Sequence, residues 1–139
     1  MRTAIFPAKL EQLDSIRQFA GQAASDLGMA EPEVYAVELA VDEACSNMIE
    51  YAYRGIDGGD IECTCDPQDD KLTIILRDHG KPFDVSKVPP PDFSTDLKNR
   101  RVGGLGIYLM RHYMDEVRFE QLGKSGNLVT LVKLRRSKR

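Results

Sequence analysis

The feature that most constrains the fold of this chain is a change in the spacing of its apolar residues near Gly58-Gly59. Before that point, apolar residues recur every three or four positions, which is the spacing of one helix face. After it, two segments (60–65 and 71–78) alternate apolar and polar residues, as strands with one buried face do. This order predicts amphipathic helices packed on one face of a sheet.

Two helices are predicted before the change. The first carries the apolar stripe Leu13, Ile16, Ala20, Ala23 and Leu27. Gly28 is expected to end it, because glycine readily adopts the left-handed conformation of a helix C-cap. Pro32 suits the first turn of a second helix, which is predicted to run to about Tyr53. Its core stripe is Val34, Val37, Val41, Ala44, Met48 and Ala52.

A short first strand, a hairpin and a final strand pair complete the predicted sheet. The strands are expected at 3–6, 60–65, 71–78, 116–121 and 127–135, with a turn at 68–70. A third helix is expected after Gly106, because apolar residues again recur at helical spacing there. The predicted fold class is therefore α+β: a two-layer sandwich with a mixed, mostly antiparallel sheet of about five strands and three helices on one face.

A segment without periodicity separates the second and third helices of this scheme. Residues 79–102 contain four prolines, which oppose a regular helix or a central strand. A loop of this length inside a compact domain is either a functional lid or a disordered segment. We expect a lid at about residues 84–103.

Composition narrows the classes of function. The chain has 139 residues, of which 42% are hydrophobic and 29% charged, so we expect one domain spanning 1–139 with its own core. A net charge of −3 argues against nucleic acid as the main partner. Short apolar runs and the absence of a secretory signal argue against a membrane span and favour the cytoplasm. Three cysteines, two of them spaced C-x-C, are interpreted as buried free thiols rather than a metal site.

The second predicted helix carries a polar pair beside its core stripe. Ala36, Ala40, Glu43 and Asn47 repeat at steps of four, three and four, so they share a face. A carboxylate can accept a proton, and an amide oxygen is a ligand for Mg²⁺. The pair is either one wall of a pocket or part of a solvated helix face, and these two residues alone favour the solvated face.

Two further segments carry residue types suited to ligand binding. Asp78 ends an apolar strand and enters a Gly and Pro turn, where it either accepts a hydrogen bond from a ligand amino group or only caps the turn. Gly80 would allow the backbone a close approach. The cluster Gly103-Gly104-Leu105-Gly106 precedes a predicted helix and follows Arg100 and Arg101, an arrangement that favours phosphate but also occurs in plain turns. Together the three segments supply a base, an amino-group acceptor and a phosphate site for one ligand.

These segments resemble the motifs of the Bergerat-fold (GHKL) ATPase superfamily. The run Glu43-Ala44-Cys45-Ser46-Asn47, with Tyr51, resembles its N box, E-x-x-x-N. The run Asp78-His79-Gly80-Lys81-Pro82-Phe83 resembles its first glycine box in the form D-x-G-x-P-F, and Gly103-Gly104-Leu105-Gly106-Ile107 resembles the second. The size and the D-x-G-x-P-F form are similar to the small branch of bacterial anti-sigma factor serine/threonine kinases. The resemblance covers nearly the whole chain.

The resemblance implies a role for each motif residue. Glu43 would be the general base that polarises the attacking hydroxyl, and Asn47 would bind the Mg²⁺ that bridges the phosphates of ATP. Asp78 would accept a hydrogen bond from the adenine amino group, with Gly80 opening the adenine pocket. Thr130 on the last strand would assist adenine binding. Many members have glycine where Pro82 stands, which implies a stiffer loop in this chain.

The resemblance also implies a phosphate subsite at the start of the third helix. Gly104 and Gly106 would hold the phosphates, and the ATP site would include Gly103 and Leu105. Arg100 or Arg101 on the lid would neutralise the charge that develops on the γ-phosphoryl group.

The resemblance implies separate protein partners, because the 139 residues leave no room for the phosphoacceptor helix of a histidine kinase or for a transducer domain. The implied partner is an STAS-type anti-anti-sigma protein phosphorylated on serine or threonine, with a sigma factor as a further partner and homodimerisation expected. The alternative is an ATP-binding module that sequesters a regulatory protein without phosphotransfer. Glu43 favours the kinase, since a pure binder needs no base there.

Overall fold

The computed structural model describes residues 1–84 and 102–136, with side chains in the second range from residue 106 onward. The strands are β1 (Arg2–Pro7), β2 (Asp60–Gln68), β3 (Lys71–Asp78), β4 (Glu116–Gln121) and β5 (Asn127–Leu134). The helices are α1 (Leu13–Asp26), α2 (Glu31–Asn47) and α3 (Val102–Tyr113). The predicted lid between 85 and 101, with Arg100 and Arg101, lies outside the described residues.

The five strands form one sheet in the order β1-β2-β3-β5-β4, in which each neighbouring pair is antiparallel. The α+β prediction with a mostly antiparallel sheet of about five strands is confirmed. The register places Ile61 of β2 opposite Asp78, and Asp78 opposite Asn127 at the start of β5. Asp78 therefore lies in the centre of the sheet, at the end of β3.

The three helices cover one face of this sheet. Alternate residues of the central strands face the helices and are buried: Ile61, Cys63, Cys65, Leu72, Ile74, Leu76, Val129 and Leu131. They meet apolar helix residues at the predicted spacing, including Ile16, Ala20, Val37, Val41, Ala44, Met48 and Met110. The three cysteines are buried within this core as free thiols, as predicted.

The ends of α1 and α2 lie close to the predicted positions. Gly28 has φ +92°, the left-handed conformation that was predicted to end α1. After Asn47, α2 continues as a π-helical segment, Met48–Ala52, so the helical backbone reaches Tyr53 as predicted. A π-helical turn widens the hydrogen-bonded ring by one residue and is frequent at functional sites.

The start of α3 corrects the sequence analysis. A helix was expected only after Gly106, but α3 begins at Val102, so the glycine cluster is helical. Glycine disfavours a helix interior by about 1 kcal/mol relative to alanine, which is why the sequence indicated a break. The packing of Gly106, described below, overrides that preference. Among the described helices, none has the length and apolarity needed to cross a bilayer.

Candidate active site

Where α2 and α3 pack together, the carboxylate of Glu43 contacts Gly106. A Cβ atom added to Gly106 would lie 2.1 Å from Oε2 and 2.9 Å from Cδ of Glu43. Real Cβ atoms essentially never come this close, so a side chain at this position would displace the Glu43 carboxylate. Gly106 thus brings the Glu43 carboxylate directly onto the backbone of α3, close to the N-terminus of that helix.

The surroundings of Glu43 suit a proton acceptor. Partial burial raises the pKa of the Glu43 carboxyl above its ordinary value, and the adjacent negative charge of Asp42 raises it further. A carboxylate with a raised pKa is a stronger base than an exposed one. The first four N–H groups of α3 have no acceptor within the helix, and this end of a helix attracts anions. A base and an anion-binding helix end therefore lie side by side.

Asn47 lies one helical turn beyond Glu43 and is buried, with 3% of its surface exposed. Its Nδ2 atom is fully buried and has no hydrogen-bond partner among the described residues. The two ends of an amide differ little in shape, so a half-turn about the terminal bond presents the oxygen in the same place. An unsatisfied buried polar group costs about 1–3 kcal/mol, which a bound ligand would recover.

The chemistry of this pair fits a magnesium ion held jointly with a phosphate. Mg²⁺ is commonly bound by one or two protein oxygens while phosphates and water complete its shell. Within residues 1–84 and 102–136 no group of three or more acidic, His or Cys side chains could hold a metal alone. The Asn47 amide oxygen is the side-chain ligand that this arrangement offers, with the Glu43 carboxylate one turn away.

The second part of the site is a buried carboxylate at the end of β3. Asp78 has no exposed surface. Its Oδ1 accepts three hydrogen bonds: from the Gly80 N–H at 2.9 Å, the Asn127 N–H at 3.2 Å and Asn127 Nδ2 at 3.0 Å. Oδ2 receives one 3.2 Å contact from Asn127 Nδ2. Within the described part of the chain, Oδ2 is therefore the oxygen with capacity for a further donor.

Burial raises the pKa of Asp78, and its hydrogen bonds act in the opposite direction. Hydrogen bonds from the Asn127 side chain, the Gly80 N–H and the Asn127 N–H, together with the nearby His79, each favour the ionised carboxylate. The ionised form accepts hydrogen bonds only, so it suits a ligand that offers an N–H group.

The loop after β3 is joined to the end of the π-helical segment. Lys81 donates its N–H to the Ala52 carbonyl at 2.8 Å, and a Cβ on Gly80 would lie 2.4 Å from that same oxygen. The Tyr53 hydroxyl accepts from the His79 N–H at 2.7 Å and donates to the Asp60 carbonyl at 2.6 Å. The end of α2 and the glycine loop therefore form one structural unit, and Gly80 is required for their close approach.

Two residues at the start of β5 belong to the site but were not singled out from the sequence. Asn127 contacts both oxygens of Asp78, and Gly126, at φ +90°, would place a Cβ only 2.0 Å from the Asp78 carbonyl oxygen. In the sequence a Gly-Asn pair before an alternating segment indicates an ordinary turn. Tyr53 was noted only as the helix end. Their roles depend on strand pairing that no local pattern reveals.

Thr130 is not brought to this site. It is three residues after Asn127 on β5, and alternate residues of a strand face opposite sides of the sheet. Thr130 lies between Ile75 and Arg118 on the face away from the helices, whereas Asp78 and Asn127 face them. The expected contribution of Thr130 to adenine binding is therefore corrected, and Asn127 occupies that position beside Asp78.

The remaining expected residues are placed by α3. Gly103, Gly104 and Leu105 form its first turn after Val102, where the free N–H groups lie. Gly106 follows them against Glu43. The structure thus brings Glu43, Asn47 and the start of α3 together at one end of the site, with Asp78 and Gly80 at the other.

Comparison with known proteins identifies the family. The profile of the histidine kinase-like ATPase domain matches residues 6–133, which is most of the chain. The chain is 35% identical over 133 residues to the serine-protein kinase RsbW of Bacillus pumilus (strain SAFR-032), a match covering 91% of this chain and 81% of that protein. The chain belongs to the RsbW family of serine-protein kinases. RsbW of Bacillus subtilis (strain 168) is 33% identical over 131 residues, again covering 91% and 81%.

Solved structures agree with the RsbW family in fold. The RsbU and RsbW domains of Rv1364c from Mycobacterium tuberculosis superpose with a TM-score of 0.63 at 16% identity, covering 100% of this chain and 34% of that one. The catalytic domain of histidine kinase ThkA superposes with a TM-score of 0.57 at 15% identity, covering 97% of both chains. At these identities the likeness establishes the shared ATPase fold alone.

Proposed function

We propose that this RsbW-family chain is a protein serine/threonine kinase of the anti-sigma factor type, which transfers the γ-phosphoryl group of ATP to a hydroxyl of a protein partner. The observation that carries the proposal is the contact of Glu43 with Gly106, which holds a carboxylate of raised pKa beside the anion-binding end of α3. A proton acceptor next to a phosphate-binding helix end is what phosphoryl transfer to a hydroxyl requires.

Glu43 acts as the general base in the proposed reaction. The partner's hydroxyl oxygen forms a bond to the γ-phosphorus while the bond from that phosphorus to the β–γ bridging oxygen breaks. The hydroxyl proton passes to a Glu43 oxygen, and ADP leaves with the bridging oxygen. The raised pKa of Glu43 strengthens it as a base but leaves it ionised above that pKa.

Asn47 is the proposed protein ligand for the magnesium ion of Mg²⁺-ATP. Its buried amide, whose nitrogen has no partner in the part of the chain that the structure describes, supports this role. When bound, Mg²⁺ neutralises phosphate charge as it develops in the transfer. The free N–H groups at the start of α3, from Gly103, Gly104 and Leu105, are proposed to hold the phosphates, with Gly106 at the same site against Glu43. Arg100 and Arg101, which precede α3 in the chain, are proposed to stabilise the γ-phosphoryl charge.

Asp78 is the proposed adenine-recognition residue. Oδ2 has acceptor capacity, and the N–H group that would use it is the exocyclic amino group of adenine. Gly80 supports the same assignment, because its N–H donates to Asp78 Oδ1 at 2.9 Å and its missing side chain lets the loop pack against the Ala52 carbonyl.

The proposed partner is an STAS-type anti-anti-sigma protein, phosphorylated on serine or threonine. A sigma factor is a further proposed partner, and a homodimer is the proposed assembly. The support is family membership, since the RsbW relatives are serine-protein kinases. We further propose that residues 1–139 act as one kinase domain whose lid spans about 84–103, and that it works in the cytoplasm, where ATP is available.

Phosphotransfer by two Glu43 variants tests this proposal. We expect Glu43→Ala and Glu43→Gln to lower the transfer of radiolabelled phosphate from ATP to purified STAS-type proteins by about 10²–10⁴-fold, the usual contribution of a general base. ATP affinity should change little. Glu50→Ala, which removes an exposed carboxylate from the π-helical segment, is the matched control. Transfer at the wild-type rate by both Glu43 variants would exclude Glu43 as the base.

A further inference from the structure

Asn127 occupies a position that connects the proposed adenine acceptor to the loop that follows it. The residue is 3% exposed. Its Nδ2 donates to both Asp78 oxygens, at 3.0 and 3.2 Å, and to the Lys81 carbonyl at 2.9 Å. Its Oδ1 accepts from the Phe83 N–H at 3.2 Å. One amide group therefore contacts the carboxylate and two backbone positions of the loop.

These contacts determine which way the amide faces. With Nδ2 toward Asp78, every contact pairs a donor with an acceptor. The reversed amide would direct its oxygen at a carboxylate and at the Lys81 carbonyl, and its NH₂ group at the Phe83 N–H. Each of those three contacts would be repulsive, so the observed orientation is the one that the surrounding groups support.

The fixed donor also determines what Asp78 offers to a ligand. Asn127 contributes two of the three hydrogen bonds to Oδ1 and leaves Oδ2 with a single longer contact. Hydrogen bonds from N–H donors favour the ionised carboxylate, which accepts from an amino group. A protonated Asp78 would instead present an O–H donor, which suits the keto oxygen of a guanine-type base.

We propose that Asn127 is a positioning residue that sets the base selectivity of the nucleotide site, by holding Asp78 as an acceptor and joining it to the loop at Lys81 and Phe83. The inference rests on the proposed function, in which Asp78 receives the adenine amino group. In addition, recognition of the adenine amino group depends on Asn127. It also depends on the position of the loop at Lys81 and Phe83, which Asn127 contacts.

Other charged and titratable groups near Asp78 are retained when Asn127 is replaced. His79 follows Asp78 in the chain, and Tyr53 approaches from the end of the π-helical segment. Asp60 of β2 accepts the Tyr53 hydroxyl hydrogen bond through its carbonyl and carries a charge nearby. Because these groups are unchanged in an Asn127 variant, a shift in the pH profile reports the loss of the Asn127 contacts.

Calorimetric titration of Asn127→Ala with Mg²⁺-ATP and Mg²⁺-GTP tests the inference. We expect ATP affinity to fall about ten- to a hundredfold, the effect of removing a hydrogen bond to a charged group, and the ATP-to-GTP affinity ratio to fall with it. The acid limb of the ATP affinity profile should move to higher pH, because Asp78 is protonated more easily. Leu128→Ala, the next residue of β5 and on the opposite face, is the matched control.

Asn127→Thr distinguishes the contact of Asn127 with Asp78 from its contacts with the loop at Lys81 and Phe83. Its hydroxyl can donate to one Asp78 oxygen but cannot replace the contacts to both Lys81 and Phe83. We expect it to recover part of the ATP affinity and of the pH profile, while amide hydrogen exchange at Phe83 stays faster than in the wild type. Since threonine suits a strand, this variant also provides the test if Asn127→Ala does not fold.

Three results would overturn the inference. One is an unchanged ATP-to-GTP ratio and pH profile in Asn127→Ala. The second is an equal loss of both nucleotides without a pH shift, which would indicate a purely structural role. The third is an Asn127→Thr variant no better than Asn127→Ala. A wild-type protein that fails to bind Mg²⁺-ATP would instead contradict the proposed function, so the two failures are distinguishable.

Discussion

The two ends of the site differ in how completely their polar groups are satisfied. At the β3–β5 end, Asp78 is fully buried, yet its Oδ1 accepts three hydrogen bonds from Gly80 and Asn127. At the α2–α3 end, Glu43 is only partly buried with a raised pKa, and Asn47 has a buried amide nitrogen without a partner among the described residues. The first end is organised before any ligand binds. The second has groups that a ligand would satisfy.

This difference indicates a division of labour. A preorganised acceptor recognises a ligand at little conformational cost, so the β3–β5 end is suited to selecting the base. Polar groups without partners in the free protein are stabilised most when a charged ligand binds beside them. The α2–α3 end is therefore suited to binding phosphate and to phosphoryl transfer. Variants at the first end should therefore change binding, and variants at the second should change turnover.

The largest effect on binding is expected from Asp78→Asn. The new amide would direct an NH₂ group either at Asn127 Nδ2 or at the adenine amino group, so a donor faces a donor in each orientation. We expect ATP affinity to fall about a hundredfold, as measured by calorimetry. Asp66→Asn on β2 removes a carboxylate away from the site and should leave affinity unchanged. Wild-type affinity in Asp78→Asn would remove the base-recognition role from this end.

Gly106→Ala disturbs the other end. Its Cβ would lie 2.1 Å from Glu43 Oε2, so the carboxylate must move. We expect phosphotransfer to fall about ten- to a hundredfold while ATP affinity falls much less, because small misplacements of a reacting group have large effects on rate. Gly21→Ala provides the control, since that Cβ would lie 2.9 Å from Glu38 Cγ, between α1 and α2. If both variants lower turnover equally, Glu43 placement is not the cause.

Phosphotransfer and the free energy of unfolding should both depend on pH through Glu43, at the α2–α3 end. Glu43 must be ionised to act as a base, so phosphotransfer by the wild type should decline as pH falls through its raised pKa. Burial of the ionised Glu43 opposes folding. Because the folded protein binds this proton more tightly than the unfolded chain, the free energy of unfolding falls as pH rises from the unfolded pKa to the folded one. Above that window the unfavourable contribution is constant.

Glu43→Gln isolates the stability part of this prediction. We expect its melting temperature to exceed that of the wild type at neutral pH, with the difference shrinking under acidic conditions where Glu43 is protonated. A difference that grows on acidification would show that the folded-state pKa of Glu43 is lowered rather than raised.

The smallest effect is expected from Asn47→Leu in the protein without nucleotide. Nδ2 of this buried amide has no partner among the described residues, so replacing the amide by the branched apolar side chain of leucine should leave the free energy of unfolding unchanged or raise it by about 1 kcal/mol. Denaturant titration measures that change, and a magnesium titration of ATP binding should show that the variant has lost its response to the ion. Strong destabilisation would show that Asn47 is a structural residue.

Local sequence patterns account for most of the fold. The spacing of apolar residues predicted α1 and α2, and alternation located β3 with its observed bounds. The bounds predicted for β4 are also confirmed. The start of α3 was missed because helix propensity is a local quantity, whereas Gly106 contacts a side chain of another helix. Contacts between distant segments override local preference in such cases.

The sequence also predicted the positions of those site residues that depend on local structure alone. Glu43 and Asn47 share a helix face, and Asp78 ends a strand, so their positions follow from local structure. Asn127 meets Asp78 only because β3 and β5 pair in a particular register, which no residue near either one specifies. Thr130 illustrates the opposite error, since a shift of three residues along a strand reverses the face.

The most direct test of the account is the melting temperature with and without Mg²⁺-ATP, for the wild type, Asp78→Asn and Glu43→Gln in parallel. A ligand at a hundred times its dissociation constant stabilises the folded protein by about 2.7 kcal/mol. We expect a clear rise for the wild type and for Glu43→Gln, and a much smaller rise for Asp78→Asn, whose ATP affinity is expected to be about a hundredfold lower. Mg²⁺-GTP should raise the melting temperature of the wild type far less than Mg²⁺-ATP does. A full rise in Asp78→Asn, or no rise in the wild type, would contradict the account.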